Sequence, residues 1–534
     1  MTASRPDSVP ALEQPAGAGV RRSVPRSRAG VAGALAAAMA LAAGEVATGV
    51  LPDAASLVVE MADRVVAWTP GNVERVAISS VGTADKPLLV TGIVLVSILF
   101  GAVLGELAVR RFALGAAGIA AFAVLGVVVA SADPRVSLAN TVLVGIVAAA
   151  AGIATLRLLL RSAKPTDVEA QPSAHLRERQ RALDRRGFLR AAMAAAVVAS
   201  VGAVAGKLLA TRERVNVIRA GIKLPTPFRK APPVPAGAQL EVAGITPLFV
   251  PNADFYRIDT AISVPQVDTG NWSLKVRGRV DRPLQFSYDE LLAMPHIEAD
   301  VTLSCVSNEI GDGLVGNARW QGVALRGVLE RAGVQPAGVQ IMGRSVDGFN
   351  AGFPTQIAMQ QPNAMIALFM NGEPLPARHG FPARLVIPGL YGYVSATKWL
   401  SVIDLTDADE NGFWIPRGWS KLGPVKTQSR IDVPARSIKA GRTAIAGVAW
   451  APTRGIARVE VAIDGGAWQE ATLADALGVD AWRQWFMAWE ATPGRHEITV
   501  RATDGTGAVQ TDKVTRIAPN GADGHHSIRV QVSA

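Results

Sequence analysis

Long apolar runs confined to the first two fifths of the chain constrain its fold more than any other feature. They lie at about 29–51, 88–109, 112–131, 136–160 and 187–210. Each approaches or exceeds the roughly 20 residues that an α-helix needs to cross a bilayer. Of the 11 tryptophans, all except Trp68 follow residue 210, as expected if the remainder is globular. The sequence therefore predicts an N-terminal α-helical membrane segment of about five spans, followed by a large domain outside the bilayer.

Basic residues flank these spans on alternate sides. Arg21, Arg22, Arg26 and Arg28 precede the first span, and Arg110 begins the turn after the second. Because Lys and Arg are enriched in cytoplasmic loops, the pattern predicts a cytoplasmic N-terminus and an extracytoplasmic chain after about residue 211. No basic stripe interleaved with aromatic residues accompanies the net charge of +10, so we expect no nucleic-acid binding.

The fifth span has a distinctive beginning. Asp184-Arg185-Arg186-Gly187-Phe188-Leu189-Arg190 precedes an Ala-rich run and resembles a twin-arginine translocation motif. Such signals export domains that fold before they cross the membrane. A basic juxtamembrane anchor is the alternative interpretation. The segment lacks an evident Ala-x-Ala cleavage site, so we expect it to stay attached as an anchor.

Composition shifts divide the chain into six parts. We predict a disordered cytoplasmic tail (1–28), a four-span membrane region (29–164), a cytoplasmic connection with the fifth span (165–210), a linker rich in Pro and Gly (211–240), an α+β domain (241–430) and an immunoglobulin-like β-sandwich (431–534).

Local patterns support the last two parts. Residues 272–277 alternate like a strand, 288–292 and 325–332 are typical of short helices, and 384–388 is typical of a buried strand. The alternation at 459–463, followed by Asp464-Gly465-Gly466, predicts a hairpin turn in the sandwich.

Two features could carry chemistry. Cys305 is the single cysteine, which excludes a disulfide scaffold and leaves either a small buried hydrophobe or a thiolate ligand for a soft metal. The stretch 371–399, rich in Pro and Gly, holds His379, Arg384 and Lys398 around one buried-looking strand. Cations and loop N–H groups at a strand end can hold a phosphate, although surface ion pairs are the alternative.

From about 246 to 534 the sequence resembles the sulfite oxidase superfamily of molybdopterin enzymes. The resemblance rests on four pieces in order: Thr246-Pro247 with Asn252 and Phe255-Tyr256-Arg257, then Trp272 through Leu291, then Cys305 with Asn308 and Trp320, and finally Asn371 through Trp399. The resemblance implies a molybdenum–molybdopterin cofactor with Cys305 as the thiolate ligand of the metal. It implies that the pterin and its phosphate are lined by Asn252, Tyr256, Arg257, Asn308, His379, Arg384, Ser395 and Lys398.

The sequence also departs from the pattern of sulfite oxidases. Glu309 and Ile310 stand where that family has two arginines, and Trp419 stands where it has a tyrosine. A carboxylate would repel a small dianion such as sulfite. We therefore expect Glu309 and Trp419 to contribute to a catalytic pocket for a neutral or organic oxo compound, although Glu309 could instead only accept hydrogen bonds beside the site.

These inferences favour a membrane-anchored molybdenum oxidoreductase that transfers one oxygen atom and two electrons. The rival is a non-enzymatic β-sandwich binding module with a degenerate cofactor fold. One cysteine cannot hold an iron–sulfur cluster, and the six histidines offer no haem site in a span, so neither group is expected. Electrons should then pass to or from a separate partner. The resemblance also allows a homodimer formed through the C-terminal domain.

Overall fold

The computed structural model describes residues 24–51, 54–69, 85–131, 137–164, 174–210, 214–407 and 410–534. The chain divides into two compact units, Met1–Val65 with Ala84–Arg212, and Val66–Thr83 with Glu213–Ala534. The tail predicted over 1–28 lies outside the described residues as far as residue 23. Parts of the loops between the predicted spans, such as residues 70–84 and 165–173, lie outside them as well.

The first unit consists of helices. They are α1 (Arg26–Val50), α2 (Leu57–Trp68), α3 (Asp85–Arg110), α4 (Phe112–Ala130), α5 (Leu138–Ala163) and α6 (Ala174–Ala210). Five stretches are long and apolar enough to cross a membrane: Arg26–Val50, Lys86–Arg110, Phe112–Ala130, Leu138–Ala163 and Ala182–Gly206. The five predicted spans are confirmed as candidates by length and composition, whereas α2 was not predicted.

Small residues let α1 and α3 pack closely. A Cβ at Gly33 would overlap the backbone of Gly101 and Gly105, so the two helices meet backbone to backbone. Glu45 of α1 accepts a hydrogen bond from the Ser56 hydroxyl (2.6 Å). This carboxyl group is thus partnered inside the bundle.

The second unit begins with a central region, residues 214–427. Its strands are β1 (Ser273–Gly278), β2 (Leu284–Ser287), β3 (His296–Ser304), β4 (Val315–Ala324), β5 (Gln340–Ser345), β6 (Asn350–Pro354), β7 (Met365–Met370), β8 (Glu373–Pro374), β9 (Arg384–Val386) and β10 (Leu400–Thr406). Its helices are α7 (Arg214–Ala220), α8 (Tyr288–Ala293), α9 (Leu325–Ala332), α10 (Thr355–Gln360) and α11 (Gly392–Ser395). The predicted strand over 272–277 and the predicted helices over 288–292 and 325–332 are confirmed, and the strand predicted over 384–388 is present but ends at Val386.

These strands form one mixed sheet and one antiparallel sheet. One has the order β2-β1-β10-β5-β6; the other has the order β3-β4-β7-β8, with β9 also paired to β7. The six side chains of β7 are all buried, as expected for a strand covered on both faces. This arrangement places the end of β3, which leads to Cys305, in the same sheet as β9, which begins at Arg384.

Local signals explain the short helices. Ser287 accepts the Glu290 backbone N–H while the Glu290 carboxylate accepts the Ser287 N–H, a capping box that begins α8. Gly333 adopts a left-handed conformation and ends α9. The segment predicted as a linker is described from residue 214, and its Val215 and Ala238 belong to the core of the central region.

The C-terminal sandwich comprises residues 428–534. Its strands are β11 (Gln428–Val433), β12 (Ser437–Lys439), β13 (Gly441–Trp450), β14 (Ile456–Ile463), β15 (Gln469–Glu470), β16 (Thr472–Leu473), β17 (Arg483–Ala491), β18 (Gly494–Asp504) and β19 (His526–Ser533). Two sheets, β11-β13-β17-β16 and β12-β19-β18-β14-β15, share one apolar core. The positive φ angles of Asp464 and Gly465 confirm the predicted turn.

The sandwich packs on the central region through hydrogen bonds as well as apolar contacts. The Trp482 indole N–H donates to the Leu248 carbonyl (2.8 Å), and its backbone N–H donates to the Thr302 hydroxyl (2.7 Å). Trp482 and Trp450 both belong to the core of the central region. The two parts therefore share a core.

Candidate functional site

Cys305 lies directly after β3, at the start of a turn that we call the Cys305 loop (residues 305–314). Its N–H donates to the Leu314 carbonyl (2.9 Å), and the Leu314 N–H donates to the Asn308 side-chain oxygen (2.7 Å). Cys305 is 8% exposed, and its Sγ accepts the Ser307 N–H at 3.4 Å. Burial raises the pKa of this thiol, with the Ser307 hydrogen bonds and the Lys398 cation opposing the shift. Without a metal the thiol is protonated, and a bound metal cation would replace the proton.

Three buried basic side chains lie around β9. A short 3-10 helix (Ala377–His379) ends at His379, Arg384 begins β9, and Lys398 precedes β10. The Arg384 guanidinium donates to the carbonyls of His379 (3.1 Å) and Leu385 (3.4 Å) and lies 5.0 Å from the centre of the Trp320 ring. Among the described residues, no carboxylate pairs with Arg384. A buried cation without a counter-ion suits a site that receives an anion.

Burial shifts the titration of all three groups. It lowers the pKa of Arg384 to about 10 and that of Lys398 to about 8, the latter against the opposing attraction of Asp259. The Lys398 ammonium donates to Asp259 at 2.9 Å. Burial and the neighbouring cations lower the pKa of His379 to about 3. His379 is therefore neutral near pH 7, while the arginine remains charged.

The neutral tautomer of His379 follows from its one hydrogen bond. Its Nε2 lies 2.8 Å from the Asn252 carbonyl, so Nε2 carries the proton. The opposite nitrogen, Nδ1, is buried and has no hydrogen-bond partner among the described residues. Because buried polar atoms are normally paired, Nδ1 is an acceptor suited to an N–H or O–H donor on a ligand. The site therefore combines positive charge with a free hydrogen-bond acceptor.

The segment after Asn252 forms another wall. Tyr256 stacks on Phe255 (5.2 Å between ring centres), and Phe255 packs edge-on against His379 (5.6 Å). Burial raises the pKa of Tyr256, with Cys305 adding to the shift and Arg384 opposing it. Tyr256 thus lies within electrostatic range of the Cys305 thiol group and of the Arg384 guanidinium. Arg257 makes two hydrogen bonds to Asp259 (2.8 and 3.1 Å).

The other predicted site residues have different surroundings. The Asn308 side chain closes the Cys305 loop, and the Ser395 hydroxyl donates to the Tyr391 carbonyl (3.0 Å). Glu309 is exposed, and Trp419 is half-buried against the Tyr393 ring (5.9 Å). The structure thus brings Cys305 together with the cations and Tyr256, while Asn308 and Ser395 bond to backbone.

Three residues near the site were given no role there from the sequence, although Trp320 and Tyr391 lie in the pieces that carry the resemblance. Asp259 neutralises both Lys398 and Arg257, Trp320 lies under Arg384, and Tyr391 has a pKa raised to about 12 by burial, with Cys305 contributing. The sequence shows an acidic residue, Asp259, two positions after Arg257, so an ion pair between them could have been predicted. The pairing of Asp259 with Lys398, 139 residues away, could not.

The buried lysine gives a pH-dependent prediction for the cofactor-free chain. The folded-state pKa of Lys398, about 8, lies below its ordinary value, so above pH 8 the unfolded chain binds more protons. The free energy of unfolding should therefore rise by roughly 1.5 kcal/mol between about pH 8 and about pH 9.5. Denaturant unfolding at several pH values measures it, and Lys398→Met should abolish the rise. If the unfolding free energy rose equally with pH in the wild type and in Lys398→Met, Lys398 would not be the group that titrates.

Comparisons with known proteins place the site in a family context. The family described as the oxidoreductase molybdopterin binding domain matches residues 261–414, which include Cys305, His379, Arg384 and Lys398. The chain is 34% identical over 156 residues to the uncharacterized oxidoreductase YuiH of Bacillus subtilis (strain 168), covering 29% of this chain and 76% of that protein.

A second group of relatives is longer. The mitochondrial sulfite oxidase of Rattus norvegicus is 30% identical over 320 residues, which is 50% of this chain; the chain spans 58% of the length of that relative. Among solved structures, the sulfane dehydrogenase SoxCD from Paracoccus pantotrophus is similar, with 23% identity and a TM-score of 0.48 over 54% of this chain and 84% of that one.

Proposed function

Because this chain belongs to the sulfite oxidase superfamily of molybdopterin-dependent oxidoreductases, we propose that it is a membrane-anchored enzyme of this class. Its reaction would be a two-electron oxygen-atom transfer involving a small molecule outside the cytoplasm. The observation that carries the proposal is the buried Arg384, which has no carboxylate partner among the described residues, beside the unpaired Nδ1 of His379.

The residues present fit a molybdenum–molybdopterin cofactor. Arg384 and Lys398 would bind its phosphate, the His379 Nδ1 would accept a hydrogen bond from the pterin, and Cys305 would ligate the metal. When bound, the group would supply the two-electron redox change and the oxygen-transfer chemistry. The chain's own task would be to bind and orient it: the half-buried Tyr256 and the buried Trp320 would limit water beside Cys305 and Arg384.

Elemental and pterin analysis of the purified full-length chain tests this proposal. Protein from a host that makes the cofactor should contain about one molybdenum by mass spectrometry and one pterin by fluorescence after oxidation. Absence of both from such a host would contradict the enzyme proposal and favour the non-enzymatic binding module.

Glu309 bears on the substrate. Its exposed carboxylate, four residues after Cys305, would disfavour a dianion, so we propose a neutral or organic oxo compound, such as a sulfoxide, rather than sulfite. Glu309→Gln should raise kcat/KM for sulfite by roughly two- to tenfold, and more at low ionic strength, because removing a like charge assists encounter. Asp347→Gln, on a turn of the central region, is the control. Steady-state kinetics with sulfite measure this effect. An unchanged kcat/KM in Glu309→Gln would show that Glu309 does not contribute to substrate selection.

We also propose that the catalytic region lies outside the cytoplasm and that the chain reaches this location through its twin-arginine-like motif. Five candidate spans and the basic residues around them support a multi-pass cell-membrane protein with a cytoplasmic N-terminus. We propose further that the sandwich is immunoglobulin-like and forms a homodimer contact. Electrons would pass to a separate partner, without a haem or iron–sulfur cluster in this chain.

A further inference from the structure

The Cys305 loop contacts the C-terminal sandwich at three neighbouring points. The Arg430 guanidinium of β11 donates to the Asp312 carbonyl (2.9 Å). The His526 ring, at the start of β19, lies against the backbone of Gly311, and a Cβ at Gly311 would overlap that ring. Ile310 packs against Gly524. The loop that carries the proposed metal ligand therefore rests against the C-terminal sandwich of the same chain.

Both sandwich residues are themselves held in place. Arg430 is 8% exposed and also donates to Asp432 (2.7 Å) and to the Thr246 hydroxyl (2.7 Å). The Nδ1 of His526 accepts the Ile431 N–H (3.0 Å), which fixes the ring orientation and leaves the proton on Nε2. Because each side chain is bonded on its own domain, it can act as a rigid support for the loop.

We propose that His526 and Arg430 are positioning residues, which hold the Cys305 loop closed and thereby fix the direction of the Cys305 thiolate. This inference rests on the proposed function for its catalytic meaning, since Cys305 is a ligand only if molybdenum binds. The closure itself is a property of the cofactor-free chain. It can therefore be measured separately.

The single cysteine makes closure measurable. Cys305 is the chain's one thiol, so the rate at which iodoacetamide alkylates the native full-length chain reports how often the loop opens. The chain is prepared without cofactor, in a host that cannot make it. His526→Ala and Gly311→Ala should each increase the alkylation rate by about tenfold or more, because each removes or displaces the ring that packs against the loop at Gly311.

Two controls separate loop closure from general destabilisation. Gly348→Ala imposes the same backbone strain as Gly311→Ala, because both glycines have positive φ (+87° and +81°), but nothing lies within 4 Å of a Cβ at Gly348. Arg458→Ala removes a partly exposed sandwich arginine away from the loop. Both controls should keep the wild-type alkylation rate, and circular dichroism verifies the folding of every variant.

The double variant gives the sharpest test. If Gly311→Ala acts by pushing on the His526 ring, then Gly311→Ala with His526→Ala should alkylate about as fast as His526→Ala alone, because the added methyl group has room. The proposal would be overturned if the rate increases of the two single variants multiplied in the double variant. Equal alkylation rates in Gly311→Ala and Gly348→Ala would also overturn it.

The loaded enzyme supplies a second readout. His526→Ala should lower kcat more than it changes KM and should alter the electron paramagnetic resonance spectrum of the molybdenum, whereas Arg458→Ala should do neither. An unaltered spectrum would contradict a positioning role. A chain that never binds molybdenum would defeat the proposed function, yet the alkylation series would still decide whether the sandwich holds the loop.

Discussion

Replacing Cys305 with serine should abolish turnover while leaving the pterin bound. We expect kcat to fall by more than about a hundredfold, since even groups that only orient metal ligands contribute roughly 10- to 100-fold. A serine hydroxyl is a poor substitute for a soft thiolate. The pterin should remain because Arg384, Lys398 and His379 lie on other elements and keep their contacts.

Molybdenum and pterin analysis beside turnover measures this effect. Cys305→Ala should behave like Cys305→Ser, because neither side chain provides a thiolate. Turnover near the wild-type level in either variant would remove Cys305 from the proposed chemistry. Loss of the pterin from both would show instead that the thiolate is needed to retain the whole cofactor.

Replacing Arg384 with methionine should have two effects of opposite sign. The cofactor-free chain should gain about 2 kcal/mol of unfolding free energy, because a buried cation without a carboxylate partner among the described residues destabilises the folded state. The same variant should lose the pterin, with occupancy below about a tenth of wild type, because a buried charge-assisted contact to phosphate is removed. Gain of stability with loss of binding is the signature of a residue retained for its ligand.

Arg319→Met is the matched control. This arginine, one residue before Trp320, makes two hydrogen bonds to Asp300 (2.7 and 2.8 Å), so it already has its counter-ion. Its replacement should lower the unfolding free energy by about 1–3 kcal/mol and leave the pterin in place. Thermal unfolding of cofactor-free protein and pterin fluorescence of loaded protein provide both readouts. A destabilised Arg384→Met chain with full pterin content would refute the assignment.

The features that could be predicted from the sequence are those encoded by residues close together along the chain. The five candidate spans depend on the length and polarity of single helices, so local hydropathy suffices to find them. Helix α8 is likewise encoded locally, by Ser287 and Glu290 of its capping box. The residues matched to the cysteine and His379–Lys398 motifs were found because their order along the chain is itself distinctive.

Sequence reasoning was weaker where function depends on orientation. The cofactor contacts of Asn308 and Ser395 stay predictions, and in the structure these side chains bond to backbone of the Cys305 loop and of Tyr391. Residue type alone does not say which way a polar group points. Helix α2 also escaped prediction, because twelve residues are too short to read as a span.

By itself, the sequence determined the candidate membrane spans and the family, and it predicted Cys305 as the thiolate, because these depend on residue type and order along the chain. Tertiary structure decided that Arg384 is buried without a carboxylate among the described residues, that Asp259 neutralises Lys398, and that the His526 ring packs against Gly311 of the Cys305 loop. The last two facts arise from contacts between segments more than 100 residues apart. Burial and pairing set charge and pKa, and they exist only once the sheets and the sandwich have packed together.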